Sequence, residues 1–429
     1  MATWIDDLQS SEGAKPKRIT KGRLTEMLRC EVGELRFNEL TKRVEHKGRT
    51  LQNHEVEDLS IYLSEKGYEI SDDAATKVVL RVARQRSYHP VQDYFLQLEL
   101  DESIQPHDMS QLATTYLGTT DPLYDEMWAA TFRAGVHRMW NPGCQHDTVL
   151  VFQGRQGGGK TTTAKKMAIK SRWFSSSSHD QLKDQTLALH KVFITELAEL
   201  EHITGKRSAG ALKNFISITT DLVRAPYGKS FEEMDRRSIM VATVNGREFL
   251  RDHTGERRFW VIELPPGRID TDRLEKAMPS IWKGALMQCR AGMEGVLSAA
   301  SQELSNRRND TFHVENPYTS AVEEHCLGML KAKPFTTRYA IEQSYVLADG
   351  QKPGTREFQI MSLCLEQLGF EKDPNPTADI GGKTRKWTFT GTGGTGGTGS
   401  VQGSVPASKP GPDFDSPLSG TDTQGCLEN

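Results

Sequence analysis

The chain has 429 residues, more than one ordinary domain holds, with 26% charged and 36% apolar residues, which suits a soluble globular protein of two to four domains. Its formal net charge of −3 carries no nucleic-acid signature, so any such signal has to be local. No apolar run approaches the ~18 residues needed to span a bilayer, and the N-terminal MATWIDDLQSSEG lacks a signal-peptide core, so we expect a cytoplasmic protein with no membrane partner.

Residues 1–22 are polar and read as a flexible N-terminus. Residues 23–140 read as a mainly helical region. Ala75, Val78, Val79, Val82 and Ala83 share one helical face, Pro90 stops that helix, and Val91, Tyr94, Phe95 and Leu98 begin another. From 141 to 305, apolar strand-like runs alternate with helical patterns, which predicts an α/β domain with a mainly parallel sheet. The six cysteines are scattered with no C-x-x-C pair, and Cys144-Gln145-His146 has no second pair nearby, so neither a disulfide framework nor a zinc ribbon is expected. Residues 306–389 read as a small module. Its last helix carries Phe358, Met361, Cys364, Leu365 and Leu368 on one side and ends at Gly369, and a hairpin-like tract around Gly381-Gly382 closes with KTRKWTF. Residues 390–429 are rich in Gly, Thr, Ser and Pro, cannot bury a core, and read as a disordered tail.

The sharpest local signal is GRQGGGKT at 154–161, between the apolar run Thr148–Phe152 and a helix-forming stretch. Gly154, Gly159, Lys160 and Thr161 fill the pattern G-x-x-x-x-G-K-[ST]. Backbone N–H groups must converge on phosphate oxygens there, and side chains would obstruct them. Gly154, Gln156, Gly157, Gly158, Gly159, Lys160, Thr161 and Thr162 are therefore the candidate nucleotide cradle. Lys160 would reach the β/γ-phosphates of ATP, and the Thr161 hydroxyl would bind Mg²⁺. The bland alternative is a glycine-rich turn with an exposed lysine.

A phosphate loop needs an acid for its metal and water. The next strongly apolar strand, Val192–Thr195, ends in Glu196, which we take as the metal-holding acid, on a strand expected beside that of the loop. Glu199 is either the water-polarising base or, with Glu201, part of a solvated face; Glu201 fits the solvated face better. A third apolar run, Ile239–Val244, ends in Asn245, whose amide could bond the attacking water or the γ-phosphate. Arg257 and Arg258, just before the run Phe259–Ile262, are either a solvated edge or arginine fingers supplied to a neighbouring subunit, which would imply a homo-oligomer.

The tract from 211 to 264, with FNELTKRVEHKGR at 37–49 and YHPVQDYF at 88–95, resembles the virulence-associated protein E family. These are phage- and island-encoded P-loop ATPases similar to superfamily-3 helicases within the AAA+ class. The resemblance covers roughly residues 25–290. It implies an AAA+-type core and a nucleotide-dependent ring, a hexamer, acting on phage or plasmid DNA during replication in a bacterial host. Lys160 and Thr161 match the Walker A pair, Glu196 and Glu199 the acidic motif, Asn245 the sensor, and Arg257 and Arg258 the R-R-F-W signature. Such helicases carry a hairpin between acid and sensor that grips DNA in the pore. Arg224-Ala225-Pro226-Tyr227-Gly228-Lys229 fits that place, with Arg224 and Lys229 as phosphate contacts or ordinary surface charges. Residues 205–258 hold eleven Lys/Arg against seven Asp/Glu. Many relatives fuse a primase upstream; this chain has no room for one, so priming would come from a partner in trans. The C-terminal helix and basic hairpin, with Lys383, Arg385 and Lys386 beside Trp387 and Phe389, resemble a winged helix that binds duplex DNA or a partner protein.

The expected function is an ATP-hydrolysing DNA helicase of a phage or mobile element. The first rival is an ATP-controlled initiator that binds DNA and assembles without unwinding. The second is a small-molecule kinase, which the long helical flank, the Asn tip and the late arginine pair fit poorly.

Overall fold

A computed structural model describes residues 17–177, 186, 188–200, 206–223, 231–250, 256–313, 316, 318–347, 351–379 and 382–390. The chain forms two compact units. Among the described residues, one comprises those up to Arg247 together with Arg257–Arg307; the other comprises residues 248–250, Glu256 and those from Arg308 to Thr390.

The first unit opens with an α/β layer. Strands β1 (Leu35–Asn38), β2 (Arg43–His46), β3 (Arg49–Thr50) and β4 (Ser87–Tyr88) form a sheet of order β3-β2-β1-β4. The helix α1 (Asp72–Arg84) buries Ala75, Val78, Val79, Val82 and Ala83, the face its periodicity predicts. It ends at Arg84, before Pro90, and Pro90 instead occupies the first turn of α2 (Pro90–Leu100), where its missing N–H costs nothing. Helices dominate residues 23–140, as expected, but among them stands this small sheet, which the sequence did not announce. Its strands are two to four residues long and interrupted by Arg36, Asn38 and Glu45, too short for an alternation to emerge.

Beyond α3 (Pro122–Trp140) lies a five-stranded parallel sheet: β5 (Val149–Gln153), β6 (Phe174–Ser177), β7 (Ile194–Leu197), β10 (Ile239–Val244) and β11 (Phe259–Glu263). Their spatial order is β11-β5-β10-β7-β6, or 5-1-4-3-2 when these strands are counted along the chain. Strands β7 and β10 are buried at every position, as a parallel sheet covered on both faces requires. The helix α4 (Lys160–Met167) follows β5, and the antiparallel pair β8 (Thr220–Val223) and β9 (Glu232–Asp235) comes between β7 and β10 in the chain. The helix α5 (Thr271–Arg290) packs against α2, α3 and α4.

The core is aromatic. The Trp282 ring of α5 meets Phe132 edge-on at 4.7 Å and lies 5.2 Å from Phe193 and 5.1 Å from Phe95. Gly135 is needed beside it, since a Cβ there would come within 2.9 Å of the indole. Trp282 also donates from Nε1 to the Met167 carbonyl at 2.9 Å, tying α5 to the end of α4. Leu40, Val91 and Phe95 share this core with Phe152, Phe193 and Val241, so the regions expected as separate 23–140 and 141–305 domains are one unit.

In the second unit, α6 (Thr319–His325) and α7 (Leu327–Ala332) lead to β12 (Phe335–Thr336), α8 (Thr337–Gln343) and α9 (Thr355–Gln367). Then follow β13 (Phe370–Lys372), the ribbon β14 (Thr377–Asp379) with β15 (Gly382–Thr384), and β16 (Lys386–Phe389). The sheet order is β12-β16-β13. Gly369, at φ 84°, ends α9 as its position in the sequence predicts. Trp387 is fully buried and donates to Thr337 Oγ1 at 2.9 Å, so this aromatic holds the module together rather than facing a ligand. Residues 248–250 and Glu256 join this unit through non-local contacts, including the Phe249 and Phe312 rings at 5.8 Å, which local pattern does not reveal.

Candidate functional site

The chain leaves β5 at Gln153 and enters the loop at Gly154, whose N–H donates to the Val244 carbonyl of β10 at 3.2 Å. The loop is pinned on its other side by the segment after β11: Leu264 N–H donates to Gln153 O at 2.8 Å and Ile269 N–H to Gly158 O at 3.1 Å. A Cβ at Gly154 would press on Leu264 at 3.1 Å. Gly159 caps α4 at φ 95°, a conformation that side chains resist, and this turns the first N–H groups of the helix toward the loop. Gly157 (φ 79°), Gly158 and the exposed Gln156 complete the loop, with Thr162 exposed on the first turn of α4.

Lys160 is buried and its ammonium is folded onto the loop. It donates to the carbonyls of Gly154 (2.6 Å) and Arg155 (2.8 Å) and to Asn245 Oδ1 (3.0 Å). The adjacent Thr161 hydroxyl donates to Glu196 Oε1 at 2.7 Å. The same oxygen accepts from Thr243 Oγ1 at 2.9 Å. Glu196 has no exposed surface, and its second oxygen, Oε2, is buried with no hydrogen-bond partner. Buried carboxylate oxygens are costly to leave unpaired, so this one faces a place where a donor or cation is wanted.

Lys160, Thr161, Glu196 and Asn245 are thus linked by hydrogen bonds across three strands. One expectation is corrected: the Glu196 strand is not beside that of the loop. Strand β10 lies between them, pairing Val241 with Leu150 on one side and with Glu196 on the other. Pairing order depends on crossover connections, which the strand patterns do not encode. That insertion also brings Thr243 to the acid, a residue sequence reasoning missed; the only signal was a hydroxyl inside the apolar run IMVATV.

Glu199 stands exposed in the turn after β7, at φ 52°. Arg257 and Arg258 are not at this chain's loop. Phe259 pairs with Val149 and Glu263 with Gln153, so the two arginines enter the sheet at the opposite, N-terminal end of its strands, roughly 13 Å of strand away. Arg257 faces Asp147 at 3.5 Å, and Arg258 donates to Ser217 Oγ at 3.0 Å. Arg224 and Lys229 lie outside the described residues; the strands flanking them, β8 and β9, pair from Thr220↔Asp235 to Val223↔Glu232.

At the foot of that hairpin, Arg236 is fully buried and grips Asp221 with two bonds, Nε at 2.6 Å and Nη2 at 2.8 Å. His190, six residues before Glu196, lies 2.9 Å from the same carboxylate. No helix among the described residues is long and apolar enough to cross a membrane.

Among solved structures, the chain is similar to apo structures of the NrS-1 C-terminal region. One has a TM-score of 0.44 at 12% identity, covering 83% of this chain and 96% of that one; a second has 0.41 at 12%, covering 82% and 95%. No curated protein matches the chain. The pattern of the virulence-associated protein E-like domain matches residues 98–314, about half of the sequence and all of the parallel sheet. The chain therefore belongs to the virulence-associated protein E-like family.

Proposed function

We propose that the protein is an ATP-hydrolysing DNA motor of a phage or mobile element, acting in replication as a helicase built on a P-loop AAA+-type core. One observation carries the reading: a glycine loop, a buried carboxylate with one unpaired oxygen, and an asparagine tip converge at neighbouring ends of parallel strands. The strand order 5-1-4-3-2, with the asparagine-tipped strand between loop and acid, supports it further.

The donor set fits Mg²⁺–ATP. The Thr161 hydroxyl and Glu196 carboxylate are hard oxygen ligands, 2.7 Å apart, with Oε2 still unpaired. Bound Mg²⁺ supplies charge neutralisation of the β/γ-phosphates. Lys160 exchanges its loop carbonyls for phosphate oxygens, a stronger charge-assisted pairing. Asn245, released from Lys160 by that exchange, orients the attacking water, and Glu199 is assigned the role of polarising it. Arg257 or Arg258, at the N-terminal end of the strands, serves a neighbouring subunit's site, which requires a ring, proposed as a hexamer. Arg224 and Lys229 grip single-stranded DNA in its pore. The C-terminal helices, β12-β16-β13 sheet and ribbon support a winged-helix module for duplex DNA, and any priming is supplied by a partner in trans.

Lys160→Ala removes the cation on the phosphates, and ATP turnover should fall by about 10²–10³-fold or more. Near-normal phosphate release by that variant refutes the ATPase. A strand-displacement assay separates motor from initiator: turnover stimulated by single-stranded DNA without displacement assigns the non-unwinding alternative.

A further inference from the structure

A cavity of about 380 Å³ lies away from the glycine loop, where the β1–β2 turn, the start of α2 and the end of β9 meet. His89 caps α2: its Nδ1 accepts from Gln92 N–H at 3.4 Å, which leaves the proton on Nε2. That Nε2 is buried, on a residue only 2% exposed, and has no hydrogen-bond partner. Arg237 Nη1 is also buried without a hydrogen bond, and the carboxylate of Glu39 forms a long salt bridge to it at 3.8 Å. Lys42 and Arg84 line the same cavity.

These four groups are donors. Burial first, then the charges of Arg237 and Lys42, push the His89 pKa down to about 3, so it is a neutral N–H donor at physiological pH. Burial and then Arg237 also lower the Lys42 pKa, although Glu39 and Glu232 oppose this. No nearby acid hydrogen-bonds His89 Nε2 or Arg237 Nη1, and Glu39 offsets the Arg237 charge only across its long salt bridge. Asp235 accepts from Thr220 Oγ1 at 2.7 Å, and Glu232 and Glu233 are exposed on β9. Phe37 and Leu40 add an apolar wall. Donors lining one cavity, two of them buried without hydrogen bonds, beside such a wall and in a space of ligand size, suit an oxyanion carried on a nucleoside.

We propose that this cavity binds one nucleotide-sized phosphate ester, with the phosphate on His89 Nε2, Arg237, Lys42 and Arg84 and the nucleoside against Phe37 and Leu40. The DNA-acting reading enters only in taking a single DNA strand as the source of the ester; the site itself stands on the cavity. Its position at the foot of the β8–β9 hairpin would let a strand held there act on the hairpin.

The test uses the full chain. Anisotropy with a fluorescein-labelled oligothymidylate is read at several salt concentrations, alongside calorimetry with thymidine 5′-monophosphate and with inorganic phosphate. The variants are Arg237→Gln, Lys42→Gln and His89→Asn; the last keeps an acceptor for Gln92 N–H while removing the Nε2 donor. We expect each cation variant to weaken oligothymidylate binding about tenfold and to lower the salt slope by about one. Loss confined to the oligomer assigns a strand, and loss of thymidine monophosphate binding assigns a free nucleotide; either supports the site. Thermal melts and Arg237→Lys, which should retain most binding, separate this from misfolding. Unaltered oligomer affinity and salt slope, with no binding of the monophosphate or phosphate by wild type, overturns the proposal. Lys160→Ala should bind at this cavity as wild type does, so failure of the ATPase reading and failure of this site are distinguishable.

Discussion

Among single residues, Glu196 shows how a side chain's surroundings set its use. Its carboxylate is removed from water, two threonine hydroxyls hold one oxygen, and the other oxygen has no hydrogen-bond partner. On the proposed mechanism, a non-hydrolysable ATP analogue with Mg²⁺ should raise the melting temperature of the wild type. A ligand at a hundredfold its Kd contributes about 2.7 kcal/mol. In Glu196→Gln the Mg²⁺-dependent part of that rise should vanish and turnover should fall by about 10²-fold or more. A full Mg²⁺ response in the variant would exclude Glu196 as the metal-holding acid. The acid and Lys160 were legible because each ends or follows an apolar run. Thr243 was not, because a hydroxyl inside a strand gains meaning only from the strand beside it.

Among the elements, the β8–β9 hairpin is fastened at its foot. Burial alone would raise the Asp221 pKa, but hydrogen bonds from Arg236 and then His190 outweigh it and bring the carboxyl from 3.8 to about 2. A carboxyl depressed in the folded state contributes stability that is complete above its unfolded pKa and is lost as pH falls through the folded one. Asp221→Ala leaves Arg236 buried without its counter-charge and should cost about 3–5 kcal/mol near neutral pH. In urea melts the gap between wild type and variant should be full at pH 6 and narrow from about pH 4 toward pH 2. A gap that is constant over this range would deny the ion pair its part. The turn expected at Pro226-Tyr227-Gly228 lies outside the described residues, and the strands TDLV and EEMD that flank it carry no clear apolar alternation.

Across the molecule, the decisive geometry is the separation of the arginine pair from the glycine loop along the sheet. Arg257, with 65% of its side chain exposed, is available to a neighbour. If subunits share sites, Lys160→Ala chains and Arg257→Ala chains should each be nearly inactive alone, and an equal mixture should recover about a quarter of wild-type turnover. No recovery on mixing, with oligomers exchanging, argues against sharing through Arg257. The glycine loop, the apolar runs with their polar tips, the face of α1 and the end of α9 all follow from the linear chain. They depend on local constraints: backbone freedom at glycine and the spacing of apolar side chains. Folding in three dimensions was needed to show that β10 divides the loop from the acid, that short N-terminal strands pair into a sheet beside α1, and that His89 and Arg237 share a cavity. Each of those rests on contacts between residues distant in the chain, and a linear pattern of side chains does not specify which distant partner each strand or donor will meet.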